Sequence, residues 1–164
     1  MGEPIAVERL ISGGQTGVDE AALTAALQLG IPTGGWCPAG RQNEQGSIAE
    51  EFCLRETPLE DSSQRTEWNV RDSDSTLILC REVDLQGGTE LTRKFADAWN
   101  RPCFIVSQGG ENPVQKIREI LSNCPHRILN LAGPRESEEP GIQDWAYEIL
   151  LKALARGPSR SERS

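Results

Sequence analysis

Ser12-Gly13-Gly14-Gln15-Thr16-Gly17-Val18-Asp19 follows an apolar run from Val7 to Ile11 and opens an alanine-rich run from Val18 to Leu29. The order is strand, glycine loop, helix. The three glycines allow a sharp turn and leave backbone N–H groups uncovered. The unpaired N–H groups of the helix start face the same space, and the helix dipole adds partial positive charge there. A corner of this kind suits phosphate or another oxyanion, with Ser12 and Thr16 as possible hydroxyl donors. The alternative is a tight turn without a ligand. The stretch lacks the Gly-Lys-Ser/Thr ending of a Walker loop and does not fit Gly-x-Gly-x-x-Gly, so it specifies an anion without specifying which one.

Two further corners have the same character. Leu85-Gln86-Gly87-Gly88-Thr89-Glu90-Leu91-Thr92 follows the unbroken apolar run Thr76–Cys80, and Thr89 reads as the N-cap of a helix reaching Trp99. Ala132-Gly133-Pro134-Arg135-Glu136-Ser137 follows the strand-like run Arg127–Leu131. Between these corners, helices are expected at Gln64–Arg71 and Val114–Leu121, the latter with Asn112 as N-cap and Pro113 in its first turn. A short helix is expected within Ile48–Leu54, a buried strand at Cys103–Val106, and a closing helix from Pro140. The segment from Thr33 to Gly46 keeps no period and reads as a long functional loop, in which Trp36 either stacks on a flat ligand ring or anchors the loop.

Strands alternating with helices, and central strands apolar on both faces, predict an α/β protein with a mainly parallel central sheet. In such a sheet, corners that follow strands lie along the carboxyl edge, where ligands bind at the switch in strand order. Residues 12–19, 86–92 and 132–137 are therefore expected to converge on one elongated, phosphate-bearing ligand. The organisation expected is a single domain over residues 1–155 and a disordered polar tail over 156–164.

The 164 residues carry a net charge of −8, a poor match for nucleic acid or an anionic membrane. An anion must then be held by local amides and a few arginines. No apolar stretch is long enough to span a membrane, and Met1-Gly2-Glu3-Pro4 has no export-signal pattern. Five widely spaced cysteines without Cys-x-x-Cys argue against a disulfide framework or a zinc site, and the expectation is reduced thiols in the cytoplasm. The single histidine, His126, precedes a strand, at the edge opposite the glycine corners. Asp19 and Glu90 fall in first helical turns, where the dipole favours a carboxylate with or without a catalytic role. Asp72 and Asp74 precede a strand, at its amino edge. Arg135 directly follows a strand and is the leading phosphate contact, with Arg41 and Arg71 secondary.

Four motifs in order, Ser12–Asp19, Asn69–Ile78, Gly87-Gly88-Thr89 and Asn130–Ser137, resemble the molybdenum cofactor carrier family over roughly residues 7–155. The resemblance implies a Rossmann-like three-layer fold, related by circular permutation to the lonely-guy and lysine decarboxylase-like phosphoribohydrolases. It implies a protein that binds, protects and passes on the molybdenum cofactor (molybdopterin), with molybdoenzymes as acceptors and a homotetrameric assembly. The expected ligand-binding set is Ser12, Gly13, Gly14, Gln15, Thr16, Gly17, Asp19, Trp36, Gly87, Gly88, Thr89, Glu90, Gly133, Pro134 and Arg135, with no catalytic residue and no resident metal. The hydrolases carry Gly-Gly-x-Gly-Thr-x-x-Glu; here one glycine is missing and Thr92 takes the place of the acid, with Glu90 one helical step off. Phosphate binding survives this change on paper and base–ribose cleavage does not. A nucleotide-processing enzyme and a nucleotide-sensing module remain the alternatives.

Overall fold

The computed structural model describes residues 7–83, 87–123 and 126–155. The expected tail over 156–164 and residues Leu85 and Gln86 of the second corner lie outside them. A five-stranded parallel sheet runs in the order β2 (Thr33–Gly34), β1 (Arg9–Ile11), β9 (Ile128–Ala132), β7 (Ser75–Cys80), β8 (Cys103–Ser107). The chain moves outward from β1 to β2 through α1 (Val18–Leu29), and the opposite way from β7 to β8 through α3 (Gly87–Ala98). Right-handed crossovers in opposite directions put their helices on opposite faces. On one face α1 packs on α5 (Ile142–Leu154), which also meets α4 (Pro113–Ser122); on the other, α3 packs on α2 (Ser62–Arg71). This is the three-layer Rossmann-like arrangement.

The strands follow their burial. Every residue of β7 is buried, as an unbroken apolar run between two neighbours requires. The expected burial of Cys103–Val106 is only partly met: Val106 is buried and the other residues of β8 are half-buried, because β8 is an edge strand. Between the helices, small residues set the distance. Ala21, Ala22, Ala25 and Ala26 of α1 and Ala146 and Ala153 of α5 are fully buried and let the two helices approach closely. Burial pushes the Cys80 and Cys103 thiols up to about 11, so these cysteines pack as small hydrophobes. Cys37, Cys53, Cys80 and Cys103 are all free thiols.

Several local expectations need correction. The Thr33–Gly46 segment is not an irregular loop: β3 (Trp36–Cys37) pairs in parallel with β6 (Arg55–Glu56), and β4 (Gln42–Asn43) forms a hairpin with β5 (Gly46–Ser47). Strands of two residues are too short to show a period. The helix expected within Ile48–Leu54 is a single 3-10 turn, Glu50–Phe52. Helix α2 begins at Ser62, two residues earlier than expected, because Asp61 caps it by accepting from the Ser63 amide at 2.9 Å. Helix α3 begins at Gly87, so Thr89 is inside the first turn and is not the N-cap. Asn112 caps α4 as expected, accepting from the Gln115 amide at 3.2 Å, whereas α5 starts at Ile142 rather than Pro140.

Candidate functional site

The corners after β1, β7 and β9 follow adjacent strands and meet at the carboxyl edge of the sheet. Between them lies a cavity of about 210 Å³. Gln15 and Asp19 line it from the first corner, Ala132, Gly133, Arg135 and Glu138 from the third, Thr89, Leu91 and Thr92 from α3, and Ser62, Arg65 and Thr66 from α2. A second cavity of about 400 Å³, lined by Pro38, Ala39, Gly40, Gln42 and Glu60, shares Gln15 and Ser62 with the first. The two cavities adjoin at Gln15 and Ser62.

The glycine corner is more self-satisfied than its sequence suggests. Asp19 accepts from the Gln15 amide at 3.2 Å, and the Gly17 amide donates to Gln143 Oε1 at 2.8 Å. The Val18 amide donates to the Pro134 carbonyl at 3.2 Å. The two hydroxyls expected to face a ligand are also engaged: Ser12 Oγ donates to the Leu131 carbonyl at 2.9 Å, and Thr16 pairs with Glu44 while accepting from the Glu136 amide at 3.2 Å. Buried hydroxyls and amides must find partners, and here the protein supplies them. Glycine is required here by the approach of protein atoms. A Cβ on Gly13 would lie 2.3 Å from Arg65 Nη1, so the guanidinium stem rests directly on the loop backbone.

Two ion pairs dominate the electrostatics of the cavity. Arg65 Nη1 lies 3.5 Å from Asp19 Oδ2, with side chains only 15% and 5% exposed. Burial holds the Asp19 carboxyl above the ordinary carboxylate range, against the pull of Arg65 and of the Gln15 and Gly13 amides. Burial likewise pulls the Arg65 guanidinium down, against Asp19. Among the described residues, Arg65 Nε is buried without a hydrogen-bond partner. Across the cavity Arg135 Nε meets Glu138 Oε1 at 3.2 Å, at half-exposed positions.

The β4–β5 hairpin latches over the corner. Asn43 Nδ2 donates to the Gly14 carbonyl at 3.0 Å, and Glu44 accepts from Thr16, from the Ser137 amide at 3.1 Å and from Ser137 Oγ at 2.5 Å. The Ser137 and Thr16 hydroxyls hold the Glu44 carboxyl below its usual range. A carboxylate so held contributes stability above its ordinary pKa and loses it as pH falls through the lowered value. Glu44→Gln is therefore expected to weaken amide-exchange protection over residues 42–47 at pH 7. In the parent protein the same protection falls on acidification below about pH 4.

Of the residues expected at the site, Gln15, Asp19, Thr89, Gly133 and Arg135 line the cavity. Ser12, Gly13, Gly14, Thr16, Gly17 and Pro134 form its supporting corner, and Gly87 and Gly88 are the first residues of α3. Two do not join them. Glu90 lines a separate hollow with Val83, Arg93 and Ile105 and pairs with Lys94 at 3.7 Å, because one helical step turns it off the cavity face. Trp36 is held elsewhere: its indole donates to Asp72 at 2.8 Å, its ring meets Trp68 edge-on at 4.8 Å, and Asn69 binds both its N–H and its carbonyl. Arg41 is committed to the carbonyls of Leu54, Ile48 and Ala49, and Arg71 to Asp72. Asp74 sits at the amino edge and accepts from the Ile128 amide, while His126 is buried against Ser75 at the start of β7.

Arg65 and Glu138 in the first cavity, and Glu60 in the second, are charged lining residues absent from the expected set. Arg65 lies in a polar stretch with no signal in its spacing; the structure turns position 65 to the cavity because Thr66, Asn69 and Val70 form the buried face of α2 beside it. Among the described residues, no three His, Cys, Asp or Glu side chains converge to hold a metal ion, and no helix is long and apolar enough to cross a membrane.

No curated protein matches the chain. A crystal structure of a "putative molybdenum carrier protein" from Syntrophus aciditrophicus SB is similar at 39% identity, covering 93% of this chain and 98% of that one, with a TM-score of 0.87. The family model for the circularly permuted YpsA SLOG proteins matches residues 10–154. With the parallel sheet, the three converging corners and a match of this extent, the chain belongs to the circularly permuted YpsA SLOG family.

Proposed function

We propose that the protein binds and carries, without converting it, a small anionic ligand of molybdenum-cofactor type: a flat pterin with a terminal phosphate and an oxyanionic metal centre. The observation that favours a carrier over a hydrolase is the composition of the α3 face. Thr89, Leu91 and Thr92 line the cavity, and the one acid of that turn, Glu90, is turned away from it. A base–ribose hydrolase needs a carboxylate at that place. The two adjoining cavities, one lined by Arg65 and Arg135 and the other by Pro38, Ala39, Gly40, Gln42 and Glu60, suit a ligand with a charged end and a flat body. The similar structure's name points the same way. Molybdoenzymes are the acceptors this reading implies, within a cytoplasmic, homotetrameric carrier.

Mass spectrometry and metal analysis of material that co-purifies from a molybdenum-replete host test this reading, and a phosphorylated pterin is the expected finding. Steady, multiple-turnover release of free base from nucleoside monophosphates would replace the carrier with an enzyme. A bound nucleotide without turnover would make the protein a nucleotide sensor.

Gly88 provides a sharper check on the second corner. It is the second residue of α3, where backbone N–H groups are unpaired within the helix. An aspartate there places a negative charge beside the anion. Gly88→Asp is expected to lower ligand affinity roughly tenfold, about 1.4 kcal/mol, in a protein that still melts cooperatively. A folded variant that binds as tightly as the parent would remove this corner from the site.

A further inference from the structure

The charges in the cavity cancel. Arg65 faces Asp19, and Arg135 faces Glu138. For a site that is to hold an anion, each arginine is already occupied by a carboxylate of the chain itself. The two pairs are not equivalent. Arg135 and Glu138 are half-exposed, three residues apart on one surface turn, and screened by water. Arg65 and Asp19 come from different layers and are almost buried. Their contact is long for a charge-assisted bond, and among the described residues the guanidinium keeps a buried Nε without a partner. Asp19, in contrast, does not depend on Arg65 alone, since the Gln15 amide also serves it.

We propose that Arg65 is the residue that grips the ligand's oxyanion, and that Asp19 is its resident counter-ion, which gives the guanidinium up when a tetrahedral oxyanion such as a phosphate monoester enters. This deepens the carrier reading and rests on it for the site, not for the identity of the ligand. Thr89 and the first turn of α3 then complete the donor set around the anion.

The exchange carries a proton. Asp19 loses its cation and gains a negative neighbour, and its carboxyl, already raised by burial, rises further. The charged and titratable groups facing the pair are Arg135 and Glu138 from the third corner and the Cys37 thiol from β3. Burial raises the Cys37 thiol, so it stays neutral near pH 7 and does not supply the proton site. Anion binding is therefore linked to proton uptake at Asp19, and affinity falls as pH rises, by up to about tenfold per pH unit.

Sulfate is the probe, because it is a tetrahedral dianion that does not itself titrate between pH 5.5 and 8. Calorimetric titration in two buffers of different ionisation enthalpy is expected to show proton uptake by the parent protein. Folded Asp19→Asn is expected to bind sulfate several-fold more tightly at pH 8 and to take up no proton. Folded Arg65→Gln is expected to lose most of the affinity. Binding by the parent without proton uptake, Asp19→Asn with unchanged affinity and pH profile, or Arg65→Gln that binds as the parent would each overturn the proposal. The parent measurement requires no variant to fold. A parent that ignores sulfate but co-purifies with a phosphorylated pterin would overturn the role of Arg65 and leave the carrier reading standing; the reverse result would do the opposite.

Discussion

Gly17→Ala is expected to destabilise the protein by about 3 kcal/mol, read as a fall in melting temperature of roughly 6–12 °C. Two costs add. Gly17 has φ 82° and ψ −129°, a backbone conformation that side-chain-bearing residues rarely adopt. A Cβ there would also lie 2.2 Å from the Pro134 carbonyl oxygen and 2.8 Å from the Glu136 amide nitrogen, which are backbone atoms and cannot rotate away. The first and third corners touch at this point, so relief of the clash must push the segment carrying Arg135 out of place. Gly30→Ala is the control. Gly30 also has a positive φ, 75°, but a Cβ there meets nothing within 4 Å, so only the backbone cost of about 1 kcal/mol remains. Equal melting temperatures for the two variants would show that the contact between the corners is soft.

That contact marks the limit of what the sequence discloses. The apolar run Thr76–Cys80 announces a central strand because burial on both faces writes itself into every residue. The Ser12–Asp19 loop announces a carboxyl-edge corner because only glycine tolerates such turns. Partners are another matter. Asp19 reads equally well as an ordinary first-turn acid, and only the path of α2 brings Arg65 onto the backbone of Gly13. Nothing local in Ser62–Arg71 distinguishes Arg65 from the solvent-facing residues of a polar helix. Strand order is likewise invisible: β9, the last strand in sequence, inserts between β1 and β7, and this places the third corner beside the first. The glycines of the first corner pointed to an anion, yet several of its amides and both of its hydroxyls are spent within the protein. A sequence pattern states that donors are present; it does not state which of them remain for a ligand.

The second large effect concerns the buried pair itself. Arg65→Met keeps much of the aliphatic bulk and removes the charge, leaving Asp19 buried without its cation. Breaking such a pair from one side typically costs about 3–5 kcal/mol, most of it the penalty for the orphaned charge. The sign with pH follows from Asp19. Its folded carboxyl is held above the ordinary range by burial even with Arg65 present, and without Arg65 it rises further. The folded state then binds a proton that the unfolded state releases, so stability is fully present below the ordinary aspartate pKa and declines as pH rises through the raised value. The loss in Arg65→Met is thus expected to be smaller at pH 5 than at pH 8, measured by urea unfolding at each. Adding Asp19→Asn removes the charge that needs a partner. The double variant is expected to recover most of the loss at pH 8 and to be nearly independent of pH over this range, since an orphaned amide costs less than an orphaned carboxylate. A single variant equally destabilised at both pH values, with no recovery in the double, would show that Arg65 acts by packing against Gly13 rather than by answering the charge of Asp19.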